Sequence, residues 1–135
     1  MNTEAAFAAI SPFIGSRQSQ ALVRGRNGEE RSFFNAKIVE LAEMIAGMPK
    51  TYEQDGKGDE AVAYLHYFLG SWDWYVTEKD MDGDGTEQAF GLVFGFETEL
   101  GYIAIEEITQ AGAELDLHWT PRPLASVRLQ HQRAV

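Results

Sequence analysis

The chain contains no cysteine. That excludes disulfides, a thiolate metal site and a cysteine nucleophile, and it suits a reducing compartment. No apolar run approaches the roughly 18 residues needed to span a membrane. The start, MNTEAAFAAISPF, has no basic leader, and Ser11 and Pro12 break its apolar stretch. It is a poor signal peptide, so a cytoplasmic protein without membrane association is expected. Positive charge is scarcest in the middle of the chain. Residues 51–116 hold sixteen acids against only Lys57 and Lys79, a net of −14 within a total of −10. The flanks are neutral or mildly basic, at +1 for residues 1–31, 0 for 32–50 and +3 for 117–135. Such a surface repels phosphates, which argues against direct nucleic-acid binding and against anionic lipid. It attracts a basic protein partner, including a nucleic-acid-binding one. Solubility alone is the plainer account of the same charge.

What is present describes one globular domain. The chain has 135 residues, 44% of them hydrophobic and 12% aromatic, enough for a core without staples. TEAAFAAI (3–10) predicts a short helix capped by Thr3; SPFIGSRQSQ reads as irregular, and ALVRG as an edge strand. This region, 1–31, has the weakest pattern, before a core over 32–128. Phe34, Ile38, Leu41, Ala42 and Ile45 share one stripe, predicting a main helix over about 33–47, capped by Ser32 or Asn35 and closed by Gly47 before Pro49. The period then changes to two. Strands are expected at 61–69, 72–78, 89–97, 100–105 and 114–119, with a helical turn or two near 106–112, a short helix within PRPLASVRLQHQRAV (121–135) and a flexible tail over 129–135. Short connections imply an antiparallel sheet of four to five strands covered by one helix, an α+β fold with short terminal helices.

The phrases YEQDGKGDEAVAYLHYF, WDWYVTE, FGLVFGFETELGYIAIEEI and LDLHWTPRPL occur in this order between Tyr52 and Leu124. In this the chain resembles a family of small bacterial proteins known as domain of unknown function 2958, or a close sister of it. The resemblance implies an α+β fold and an accessory role on plasmids and other mobile elements, often beside antirestriction and conjugation genes. It implies no catalytic residues. It also implies a stretch of variable length between WYVTE and FGLV, where the aspartate loop lies.

That loop, EKDMDGDGTEQ, places Asp80, Asp82, Asp84 and Gly85 as in the first half of a helix–loop–helix calcium site. The closing glutamate is missing, since Gly91 stands at its position, and the flanks read as strands. A hairpin turn rich in Asp-Gly is the first reading and a weak divalent-cation site the second. QDGKGD (54–59) lacks the length and ending of a phosphate-binding loop, and its acids oppose a phosphate. It is a glycine turn, with Asp55, Lys57 and Asp59 as the groups of any binding role. His66, His118 and His131 have no metal-ligand spacing, so only the fold can bring them together. Gly91 and Gly95 mark a side of one strand where something approaches closely, a covering helix first and a ligand second.

No catalytic residue is assigned and no cofactor is expected. The favoured function is protein–protein binding through an acidic, aromatic surface that includes Asp55, Lys57, Asp59, Trp72, Trp74 and Glu78, in one version as a DNA-mimicking antirestriction inhibitor. The alternative is a small metal-dependent hydrolase or cation-binding protein using the Asp80–Asp84 or Asp55–Asp59 loop. The oligomeric state is left open.

Overall fold

In the computed structural model, which describes residues 1–133, the first helix is capped by Asn2, not Thr3. The Asn2 side chain accepts the Ala5 N–H at 2.7 Å and opens α1, Thr3–Ile10. A 3₁₀ turn at Ser11–Phe13 leads into α2, Ser16–Arg26, where a loop and an edge strand were expected. Tertiary contacts decide for helix there. Leu22 is buried, and the Gln18 amide bonds both the N–H and the C=O of Leu115, at 2.9 and 2.8 Å. The main helix, α3, runs Arg31–Gly47 and buries Ile38, Leu41, Ala42 and Ile45, the stripe its spacing predicts.

The strands β1 (Val62–Ala63), β2 (Leu65–Leu69), β3 (Trp72–Glu78), β4 (Ala89–Phe94) and β5 (Thr98–Ile103) follow, then α4 (Ile105–Gln110), β6 (Glu114–Leu115), β7 (Arg122–Pro123) and α5 (Leu124–Arg133). Strands β5-β4-β3-β2-β6 form a five-stranded antiparallel sheet, and β1 pairs with β7 in a separate two-stranded one. The fold is α+β. The expected strand over 61–69 is divided because Val62 and Ala63 leave to pair with Pro123 and Arg122. The expected strand over 114–119 stops early because Asp116 turns the chain, its side chain accepting the His118 N–H at 2.9 Å and its carbonyl the Trp119 N–H.

The sheet separates two cores. On one side, Leu65, Tyr67, Val76, Ala89 and Ile103 pack with the buried faces of α1, α2 and α3. On the other, Tyr75 and Leu92 pack with Ala61, Ala63, Leu124 and Val127. Helix α5 therefore belongs to the fold as the short C-terminal helix that was expected, and it reaches into the stretch 129–135 read as a tail. Residues up to Arg133 are helical, and the last two lie outside the described residues.

Gly91 and Gly95 are hemmed in by the sheet itself. A Cβ at Gly91 would collide with the Tyr75 carbonyl, and one at Gly95 with the Trp72 ring. The close approach is made by the neighbouring strand, not by a covering helix.

Candidate functional site: a carboxylate groove and an aromatic sheet end

Between β3 and β4 the register shifts: Val76 faces Gly91, but Glu78 faces Phe90, leaving Thr77 as the extra residue of a β-bulge. A bulge re-aims the side chains that follow it. Here it pairs Glu78 with Phe90, and the residue is 4% exposed. Glu78 was expected on the acidic surface and is not there. Its Oε1 accepts the Tyr52 N–H at 3.0 Å and its Oε2 the Gln54 N–H at 2.6 Å, fixing the 51–60 loop against the sheet. Gln54 repeats the attachment, donating to Val62 O and Thr77 O and accepting the Val62 N–H, all within 2.9 Å. Thr51 adds hydroxyl bonds to Lys79 O and Gln88 O.

Held in this way, the loop walls a groove of about 380 Å³ lined by Tyr52, Asp55, Gly56, Glu78, Phe90 and Leu100, among others. Tyr102 adjoins it: its ring meets Phe90 edge-on at 5.7 Å, and its hydroxyl lies 2.7 Å from that of Tyr52. The Tyr52 hydrogen bond, aided by the charge of Glu78, raises the Tyr102 pKa. Tyr52 has φ +80°, the one non-glycine residue with positive φ among the described residues. That conformation is strained for a residue with a Cβ and occurs where surrounding structure imposes it. Of the loop groups named from sequence, Asp55 lines the groove, Lys57 is exposed, and Asp59 pairs with Arg128 at 3.0 Å.

The aspartate loop does join β3 to β4, but its members differ. Asp80 is 9% exposed and accepts the Asp82 N–H at 3.1 Å and the Gln88 N–H at 3.0 Å. It organises the turn, while Asp82 and Asp84 face solvent. Among the described residues no group of three or more histidines and carboxylates is placed to hold a metal ion, so Asp80, Asp82 and Asp84 do not form one. Lys79, at the loop's start, donates to the Ile45 and Ala46 carbonyls at 2.6 and 3.3 Å and so caps the C-terminal end of α3. Burial lowers its pKa.

Trp72 and Trp74 sit at the opposite end of β3 with ring centroids 5.7 Å apart. Trp74 packs on the first core, while Trp72 meets Phe96 edge-on at 5.2 Å. Phe96 is 96% exposed. Beside it Glu97 and Glu99 face solvent.

Two of the histidines converge on Tyr75. His66 stacks on the Tyr75 ring at 4.4 Å, and His131 Nε2 lies 2.7 Å from its hydroxyl while stacking on Phe94 at 3.7 Å. His66 is held at both nitrogens, Nδ1 by Asp116 at 2.9 Å and Nε2 by Asp73 at 2.7 Å. Trp119 donates its indole N–H to Ala63 O, and Arg122 lies over the Trp119 ring at 4.4 Å. These contacts occupy both nitrogens of His66 and Nε2 of His131, so the cluster reads as a lock for α5. His118 lies apart, exposed and stacked on Phe33. The sequence signal for the cluster was the 3–4 spacing of Leu124, Val127 and His131, one face of a final helix.

No family model matches the chain, and no curated protein or solved structure is significantly similar to it. No helix among the described residues is long and apolar enough to cross a membrane.

Proposed function

We propose that the protein is a non-enzymatic accessory factor that binds a basic protein partner through its anionic sheet half. Supporting this is the disposition of the sixteen acids of residues 51–116: twelve are exposed, and among the described residues only Asp59 is paired with an arginine or lysine. Unpaired surface carboxylates at this density generate a long-range field that steers a cationic surface and loses strength with salt. Phe96, almost wholly exposed beside Trp72, supplies an aromatic anchor inside that acidic rim, the kind of residue on which interface energy concentrates. In the specific version, the partner is a DNA-binding restriction or defence enzyme and the carboxylates stand in for phosphates. The family resemblance is consistent with that setting and with a cytoplasmic, mobile-element protein.

Candidate nucleic-acid-binding enzymes from the host are assayed for binding to the purified protein across a salt series, with duplex DNA as competitor. Affinity that falls steeply with salt, is displaced by DNA and weakens on Phe96→Ala supports the proposal. Partners that are only neutral or acidic, or binding indifferent to salt, overturn it.

A further inference from the structure

The groove beneath the 51–60 loop combines features that favour one kind of ligand. Glu78 at its base is almost fully buried, and no arginine, lysine or histidine among the described residues lies within ion-pair distance of it. The nearest base in sequence, Lys79, is engaged with the end of α3. A buried carboxylate is stabilised by hydrogen bonds, and Glu78 has two from the backbone, yet its charge is still uncompensated. Around it stand the rings of Tyr52, Phe90 and Tyr102, and Glu78, Phe90 and Tyr102 occupy one cross-strand row over β3, β4 and β5. Asp55 stands at the rim.

We infer that this groove is an aromatic cage for the side-chain ammonium of a lysine presented by a partner protein. Aromatic faces attract cations, and more strongly where water is excluded. An anion is disfavoured by Glu78 and Asp55. A hard metal ion would need several converging oxygen donors, and no such cluster exists among the described residues. Each Glu78 oxygen already takes one backbone N–H, which leaves one lone pair on each. A compact ammonium needs only one remaining lone pair, and its alkyl stem can lie along Leu100 and Phe90. This inference rests on the proposed basic partner and names the contact that partner would make.

The test uses the full chain and two short peptides, acetyl-Gly-Lys-Gly-amide and the same peptide with norleucine, followed by two-dimensional NMR. The lysine peptide is expected to shift the Tyr52, Phe90 and Tyr102 resonances, and the norleucine peptide to leave them in place. Tyr102→Ala and Tyr52→Gly are expected to weaken the response about tenfold. Both positions are exposed, so these variants retain the fold, which the unperturbed remainder of the spectrum checks. Equal binding of the norleucine peptide would overturn the ammonium assignment. Binding of n-butylammonium without binding of the lysine peptide would make it a free-amine site and overturn the protein source. No response to either peptide or to n-butylammonium overturns the cage. If the peptide binds but no basic partner does, the site stands and the proposed function fails. If a basic partner binds the two variants as tightly as wild type, the function stands and the cage is not its contact.

Discussion

The Tyr75 hydroxyl and His131 Nε2 lie 2.7 Å apart and join the centre of the sheet to the last helix. Burial, reinforced by Asp73, raises the Tyr75 pKa, so the phenol keeps its proton and donates it to a neutral imidazole. Burial lowers the His131 pKa below its ordinary 6.5; Asp73 opposes the shift and His66 adds to it. A base whose folded pKa is depressed stabilises the fold above its unfolded value and loses that contribution as the pH falls through the folded one. The melting temperature should therefore drop between about pH 7.5 and about pH 5.5, before most carboxylates titrate. In His131→Gln, whose amide accepts the Tyr75 proton without titrating, the drop should shrink. An undiminished drop would assign the dependence elsewhere.

Asp80 and its two neighbours should separate in a stability assay. Asp80→Ala leaves the Asp82 and Gln88 N–H groups without their acceptor and should cost about 2 kcal/mol in urea unfolding. Asp82→Asn and Asp84→Asn, both at exposed positions, should stay within about 0.5 kcal/mol. Equal effects at all three would contradict the assignment of Asp80 as the organiser of the turn.

Removing His66 should be expensive because it leaves two carboxylates facing one another. His66→Asn is expected to destabilise by about 2 kcal/mol, less than a fully buried pair, since Asp73 and Asp116 are partly exposed. A double-mutant cycle with Asp73→Asn should return a coupling energy above about 0.5 kcal/mol. Strict additivity would mean that the short contact contributes no stability.

Tyr52→Gly should leave stability unchanged or raise it by up to about 1 kcal/mol. Glycine adopts positive φ without strain, and this relief offsets the greater freedom glycine has when unfolded. Thermal unfolding measures it; a loss above about 1 kcal/mol would show that the tyrosine ring holds the loop.

Much of the scaffold was legible because local pattern and tertiary burial agreed. The stripe of α3 faces the core at every position its spacing marks, and Trp72–Glu78 forms the strand its alternation predicts. Where they disagreed, a distant contact decided. Helix α2 is tied down through Gln18 to Leu115, a partner 97 residues away, which no local composition announces. Glu78 looked like one more surface acid because alternation carries no sign of the bulge at Thr77 that turns it inward. The groove is assembled from residues 52, 78, 90 and 102, each unremarkable in its own segment. His131, read as tail, gained its role only when the sheet supplied Tyr75 as its partner.

The placement of Leu124 and Val127 in the second core has a consequence for synthesis. Chain growth delivers Tyr75 and Leu92 well before the segment that covers them, so one face of the sheet must wait, uncovered, for Leu124–Arg133. A message truncated or stalled near residue 120 would yield a chain able to close its helical side but presenting a bare aromatic sheet to its neighbours. Helix α5 therefore guards that face of the sheet against self-association.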